Sequence, residues 1–362
     1  MLYYKDKQYN FIELFNEVNG TLVRSNILNN EKQETNHVPD MRSYPELIDI
    51  GIMGTCHASK NGFCQAAGVD CYQAAPLNVR PNMSLTDFKK IIDQCRGYVF
   101  QIALGGAGDP NKHQDFEEIL RIASDNNIIP NLTTSGFNMS AQEVELIKKY
   151  CGAVAVSYYS KLEKNGQESN PITIEAVKRL VAAGCTTNIH YVLSRDSIDE
   201  AIFRLENCLF PKGINAVIFL LYKPVGLGKK EKMLSIHDSQ YLELLKLIDK
   251  CKFPYAVGMD SCQAPALRQF CSSISSSVLE FCDAARFSMY IDCDMYAYPC
   301  SFGHDYLEYG VDLKKNSIRQ AWRSSQFQLF RSRQKRMCEQ CQSSECRGCG
   351  LDFKIDMCKN RV

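Results

Sequence analysis

The chain has 362 residues and almost no net charge: 42 basic side chains against 41 acidic ones leave +1. That balance excludes nucleic-acid binding by bulk electrostatics, which needs a basic face or stripe. Long apolar runs are missing as well. No segment approaches the about 18 consecutive apolar residues of a membrane span, so neither a nucleic acid nor a membrane is expected as a partner. The opening Met1-Leu2-Tyr3-Tyr4-Lys5-Asp6 lacks the apolar stretch of a secretory signal, and the expected compartment is the cytoplasm. With 45% hydrophobic and 23% charged residues, the composition is that of an ordinary soluble globular protein. Cysteine, by contrast, is abundant, with 18 in the chain. A chain of this length buries an ample core without disulfides. Thiols in the cytoplasm stay reduced, so the cysteines point to metal or catalysis.

Their positions fall into three sets. Cys56, Cys64 and Cys71 share one segment. Cys95, Cys151, Cys185, Cys208 and Cys251 are scattered through periodic segments and read as small buried hydrophobes or helix-end residues. The other ten follow residue 260, and five of these, Cys338, Cys341, Cys346, Cys349 and Cys358, form a tight group. Cys338-Glu-Gln-Cys341 and Cys346-Arg-Gly-Cys349 are two CxxC pairs. That is thiolate-chelate spacing, compatible with zinc and with iron–sulfur.

Residues 1–45 read as polar and irregular, with Phe11–Phe15 as a short strand or helix and Asn19-Gly20 as a hairpin turn before Thr21–Arg24. From residue 46 strands and helices alternate. Strands are expected at Leu47–Met53, Tyr98–Leu104, Ile128–Thr133, Ala153–Val156, Thr187–Leu193 and Ala216–Tyr222. Helices are expected at Thr86–Cys95, Asp115–Asn126, Ala141–Tyr150, Ile172–Ala183, Ile198–Asn207 and Tyr241–Lys250. Ser140 and Glu143 form a capping box, and Gly184 stops a helix. Six βα units in series predict a parallel sheet with right-handed crossovers, curved into a partial (β/α)6 TIM-like barrel over residues 46–252. Residues 253–362 have short strands, loop cysteines and one helix, Ser317–Phe330. They predict a small cysteine-rich α+β domain held by metal clusters.

Polar and glycine-rich turns follow the strands, at the end where such sheets place their chemistry. The three-cysteine loop, Thr55 to Tyr72, follows the first strand. Leu104-Gly105-Gly106-Ala107-Gly108-Asp109-Pro110 follows the second, and Thr133-Thr134-Ser135-Gly136 ends the third. Ser157 ends the fourth strand, Asn188 and His190 lie on the fifth, and Tyr222-Lys223-Pro224-Val225-Gly226 ends the sixth. Glycine lets backbone approach a ligand closely, and polar groups converging on one rim suit a cofactor.

This combination resembles the radical S-adenosylmethionine superfamily over about residues 46–250. The family's usual C-x3-C-x2-C is here C-x7-C-x6-C, and its Gly-Gly-Glu is here Gly105-Gly106-Ala107. The resemblance implies that Cys56, Cys64 and Cys71 hold three irons of a catalytic 4Fe–4S cluster, leaving the fourth iron for S-adenosylmethionine. It places Gly105, Gly106, Asp109, Thr134, Ser135, Ser157, His190, Tyr222 and Val225 around that cofactor. One electron, from a donor such as flavodoxin or ferredoxin, would cleave the sulfonium to a 5′-deoxyadenosyl radical that abstracts hydrogen from a C–H bond.

The C-terminal part resembles the SPASM domain, which carries auxiliary iron–sulfur clusters in peptide-modifying members of that superfamily. Met295 stands where a glycine is common. By position, Cys338, Cys341, Cys346 and Cys358 would hold an outer 4Fe–4S cluster. Cys282, Cys300 and Cys349 would hold an inner one, with Cys262 as fourth ligand and Cys271 and Cys293 as rivals. The implied activity is that of an oxidoreductase maturing a peptide or protein, with a thioether on a ribosomally made, cysteine-containing peptide as the expected product. Asp260 is the candidate acid or base. The closest rival makes formylglycine in a sulfatase, and a zinc-scaffolded binding protein is the rival of another class. The leading reading expects anaerobically purified protein to show the broad visible absorbance of iron–sulfur clusters, whereas a colourless zinc protein in elemental analysis would refute it.

Overall fold

The periodic segments after residue 46 fold as the alternation predicts. The computed structural model describes residues 1–27, 40–336, 346–351 and 353–359. Strands β1 (Leu2–Asp6), β2 (Phe11–Phe15) and β3 (Leu22–Asn26) form an antiparallel sheet in that order. β4 (Leu47–Met53) is followed by two single-turn helices, α1 (His57–Lys60) and α2 (Phe63–Ala66), and by α3 (Leu85–Cys95). The alternation continues through β5 (Gln101–Gly106), α4 (Phe116–Asp125), β6 (Ile129–Thr134), α5 (Ala141–Tyr150), β7 (Val154–Ser157) and α6 (Pro171–Ala182). It closes with β8 (Thr187–Leu193), α7 (Ile198–Glu206), β9 (Ala216–Leu221) and α8 (Ser239–Lys250). Beyond lie β10 (Ala256–Met259), α9 (Ala264–Phe270), β11 (Ser288–Ile291), β12 (Tyr296–Tyr298), β13 (Val311–Asp312), α10 (Ile318–Arg323) and α11 (Ser325–Arg336).

Local chemistry sets these boundaries. Ser140 and Glu143 make the expected capping box on α5, and Gly184, at φ +79°, ends the turn after α6. α4 buries Phe116, Ile119, Leu120, Ile122 and Ala123 along one face. β8 alternates, with Ile189, Tyr191 and Leu193 in the core while Asn188 and His190 keep partial exposure. Three of the scattered cysteines lie at helix ends, Cys95 buried at the end of α3 and Cys151 and Cys251 capping α5 and α8, whereas Cys185 is half-buried and Cys208 exposed.

One ten-stranded sheet runs β10-β9-β8-β7-β6-β5-β4-β11-β12-β13. Its pairs from β10 to β11 are parallel, and β12 and β13 add antiparallel. The expected partial TIM-like barrel is therefore β4 to β9 in sequence order. The sheet continues through the expected boundary at residue 252, because β10 extends it beside β9 and β11 beside β4.

Two expectations are corrected. Residues 1–45 are not irregular throughout, since three strands occupy 2–26. The single helix 317–330 is two helices broken at Ser324, whose extended backbone (φ −64°, ψ 159°) ends α10 and whose hydroxyl accepts from Phe327 N.

The N-terminal sheet is fastened by buried charge. Glu13 on β2 and Arg42, neither exposed at all, pair at 2.9 Å. Arg42 also donates to Tyr98 O at 2.6 Å, and Trp322 donates to Arg42 O at 2.9 Å. Arg24 on β3 binds Glu46 through Nε at 3.1 Å and Glu280 at 2.6 Å. Breaking a buried pair leaves a bare charge in low dielectric. Arg42→Met is expected to lower stability by about 3–5 kcal/mol, read from urea unfolding. The double variant with Glu13→Gln should recover part of that loss.

Candidate functional site

The segment after β4 lies across the barrel's C-terminal mouth because two neighbouring loops press on it without side chains. A Cβ on Gly108 would stand 2.3 Å from Thr55 O and 2.9 Å from Cys56 Cα. A Cβ on Gly226, at φ +61°, would stand 2.4 Å from Tyr72 O and 2.6 Å from Cys71 O. Leu227 N donates to Cys71 O at 3.0 Å. The loops after β5 and β9 thus clamp both ends of the cysteine segment.

The clamp gathers the three thiols. Cys56 is the N-cap of α1 and accepts from Ser59 N at 3.3 Å. Cys64 sits in α2, and Cys71 follows. All three join an apolar cluster with Ala58, Phe63, Ala75, Ala107, Phe137 and Tyr159. Burial, together with Cys56, Asp109 and Cys71 nearby, pushes the Cys64 thiol up to about 12. Burial also raises Cys71, while the N–H groups of Ala75, Gln73 and Ala74 oppose the rise. Among the described residues, no three His, Cys, Asp or Glu side chains converge closely enough to hold a single metal ion. Three cysteines in one loop offer one ligand to each of three irons of a cluster. Backbone donors aimed at sulfur also suit cluster ligands.

The expected cofactor residues line the same mouth. An added Cβ on Gly105 would meet nothing within 4 Å, so the backbone there is open. Gly106, at φ +119°, marks the register shift between β4 and β5 and would collide with Met53 O at 2.5 Å. Asp109 binds Ser135 twice, accepting from its N and Oγ at 2.6 Å each. Burial still raises the Asp109 carboxyl against those bonds. Thr134 Oγ donates to Asn111 at 2.9 Å. Ser157 and His190 are paired across β7 and β8. Burial pushes His190 down to about 4 despite Asp260 nearby. Val225 is buried, and the Tyr222 hydroxyl donates to Asp70 at 2.8 Å. Asp70 also pairs with Lys232 at 2.8 Å.

Sequence reasoning missed Asp70, Asn111 and Asp49. Asp70 adjoins Cys71, a signal that was there to use. Asp49 faces the barrel interior from β4, and its carboxyl is pushed up to about 7 by burial and by Asp283.

A second set of thiols gathers beside β9 and β10. Burial raises Cys262 well above the usual thiol range, with Cys282 and Cys349 adding to Lys223 and Asp260 as its charged surroundings. Burial likewise raises Cys282, beside Asp283, Cys349 and Cys300, and lifts Cys300 to about 12, beside Cys349 and Lys223. The structure therefore brings together Cys262, Cys282, Cys300 and Cys349. Gln334 donates to Cys282 Sγ at 3.3 Å. Of the rivals, Cys271 turns to Leu245 O at 3.6 Å, and Cys293 sits beside Arg80, Asp292 and Asp294. Cys346 packs with Ala264 and Phe281, and Cys358 accepts from Gln269 on α9 at 3.2 Å. Cys338 and Cys341 lie outside the described residues.

Asp260 lies beside the second set, close to Cys262, and also near His190. It accepts from Leu221 N at 3.1 Å, Lys223 Nζ at 2.8 Å and Gln263 Nε2 at 3.1 Å.

Residues 282–349 match the SPASM family, an iron–sulfur cluster-binding domain. No curated protein matches the chain in sequence. Among solved structures, the chain is similar to Streptococcus suis SuiB bound to precursor peptide SuiA, with TM-score 0.63 and 15% identity over 90% of this chain and 87% of that one. It is also similar to SuiB bound to S-adenosylmethionine, with TM-score 0.57 and 17% identity over 79% and 67% of the two chains. A third is native anSMEcpe with bound AdoMet and Cp18Cys peptide, with TM-score 0.55 and 13% identity over 78% and 82%. At these identities the likeness is one of fold. The expected architecture, a partial barrel followed by a SPASM domain, stands. Among the described residues no helix is long and apolar enough to cross a membrane.

If the four gathered thiols share one cluster, Cys262→Ala should lower the iron of reconstituted protein by up to about four atoms per chain. Cys271→Ala and Cys293→Ala should leave iron content unchanged, and the reverse pattern would exclude Cys262.

Proposed function

We propose that the chain is a radical S-adenosylmethionine enzyme that modifies a peptide or protein. The observation that carries this reading is the pairing of two thiol sets: Cys56, Cys64 and Cys71 across the barrel mouth, and Cys262, Cys282, Cys300 and Cys349 beside β9 and β10. The matched iron–sulfur domain and the fold shared with proteins solved with S-adenosylmethionine and with peptides support it. When bound, the catalytic 4Fe–4S cluster and S-adenosylmethionine supply the reductive cleavage that delivers a 5′-deoxyadenosyl radical to the substrate.

The chain's own residues bind and orient. Cys56, Cys64 and Cys71 are the ligands of the catalytic cluster. The open backbone at Gly105 is the approach for the cofactor's amino acid end, and the Asp109–Ser135 latch fixes the loop beside it. Ser157, His190, Tyr222 and Val225 wall the nucleoside side. His190 stays neutral at physiological pH and serves as a hydrogen-bonding wall rather than a cation. Phe63, Phe137 and Tyr159 exclude water around the thiols. Asp260, already accepting from three donors, is a proton acceptor rather than a donor. The Cys262 set and the Cys338, Cys341, Cys346 and Cys358 set hold auxiliary clusters. The electron donor is a small low-potential protein of the flavodoxin or ferredoxin kind.

The expected product is a thioether in a ribosomally made, cysteine-containing peptide. Thioether closure removes two hydrogens from the peptide: the one on carbon leaves as an atom to the 5′-deoxyadenosyl radical, the one on the thiol leaves as a proton to Asp260, and the auxiliary clusters would supply the acceptor for the remaining electron. Anaerobically reconstituted protein with dithionite should convert S-adenosylmethionine to 5′-deoxyadenosine, and the triple variant of Cys56, Cys64 and Cys71 to Ala should fall to background. Mass spectrometry of a co-expressed precursor should show loss of two hydrogens. A formylglycine in place of a cysteine or serine, located by fragmentation and without a cross-link, would overturn the thioether.

A further inference from the structure

One cation near the mouth has no part in the reaction as outlined. Lys223 lies two residues beyond β9, with its side chain only 3% exposed. Its Nζ stands 2.8 Å from Asp260 Oδ2, 2.9 Å from Leu221 O and 4.6 Å from the centroid of the Phe302 ring. Burying an ammonium is costly unless acceptors surround it, and here they do. Asp260 is the nearest charge to it, with Cys262 and Cys300 also within electrostatic reach.

The groups that hold Lys223 come from the two segments that carry inner thiols. Asp260 is two residues before Cys262, and Phe302 is two residues after Cys300. An ammonium held there is fixed against the sulfur set, in surroundings where charge is weakly screened.

Resting on the functional reading above, we infer that Lys223 is a positioning residue for the inner auxiliary cluster: its fixed positive charge beside the Cys262 and Cys300 thiolates raises that cluster's reduction potential. Reduction adds one negative charge to the cluster, so a nearby cation stabilises the reduced form more than the oxidised one. Asp260 acts with the opposite sign from the same spot. Removing either member of the pair unmasks the other, and the two variants shift the potential in opposite directions. A role in packing alone would shift neither.

The test is an anaerobic redox titration of reconstituted full-length protein, with dithionite as electron source and the reduced clusters followed by electron paramagnetic resonance. Lys223→Met should lower the inner-cluster potential by at least about tenfold in the reduction equilibrium, about 59 mV for one electron. Asp260→Asn should raise it, and Lys223→Arg should stay near wild type. Unchanged potentials in both charge-removing variants, with cluster content intact, overturn the inference and leave the functional reading standing. If Lys223→Met loses its cluster, Asp260→Asn decides alone, and a potential that does not rise overturns the inference. Wild-type protein that takes up no iron–sulfur cluster overturns both.

Discussion

The mouth of the barrel depends on two contacts that no side chain could occupy. Gly108 lies against the backbone of Thr55 and Cys56, and Gly226 lies against the carbonyls of Cys71 and Tyr72. Between these two points the segment takes a path of two single-turn helices that draws Cys56, Cys64 and Cys71 toward one another. The spacing between the cysteines is long for the family resemblance, but the clamp fixes where the loop begins and ends. The extra residues go into α1 and α2 rather than into slack. The polar latches follow from the same geometry: Asp109 holds Ser135, and Tyr222 holds Asp70, so each loop around the mouth is tied to another.

A near-neutral chain reaches its electrostatics by burying charges in small groups. Glu13 with Arg42, Arg24 with Glu46, and Lys223 with Asp260 are all at least partly removed from water. Such pairs add little net stability, yet removing one partner is expensive. They act as registers that fix how the N-terminal sheet meets the barrel and how the barrel meets the cysteine-rich domain. The thiols obey the same rule with the opposite outcome. Burial drives Cys64, Cys262, Cys282 and Cys300 toward their protonated forms, so a thiolate there needs a strong Lewis acid to be stable.

Much of this was legible in the sequence because it rests on local pattern. The βα period, the Ser140 capping box and the strand-end turns each declare themselves within a few residues. The grouping of Cys282, Cys300 and Cys349 was what the resemblance implied, while Cys262 was one of three choices for the fourth place beside Cys271 and Cys293. What escaped depends on partners far away in the chain. Glu13 interrupts an otherwise plain Phe11-Ile12-Leu14-Phe15 strand and makes sense only beside Arg42. Lys223 reads only as part of the strand-end turn at the cofactor rim, and its ion pair with Asp260 and its place over Phe302 emerge in the fold. The break at Ser324 had a local signal, a serine pair able to cap a new helix, which was outweighed by the apolar spacing of Ile318, Trp322 and Phe330.

The unbroken ten-stranded sheet has a consequence for how the chain can be cut or exchanged. A barrel of six strands that does not close on itself has two raw edges, at β4 and β9. Here β11 and β10 cover them, and both come from beyond residue 252. Exposed parallel edges recruit other strands and drive aggregation. The cysteine-rich segment is therefore not an accessory hung on a self-sufficient barrel. The two parts are built as one piece of folding, and lineages that lose or swap the C-terminal segment would need a new way to cover both edges.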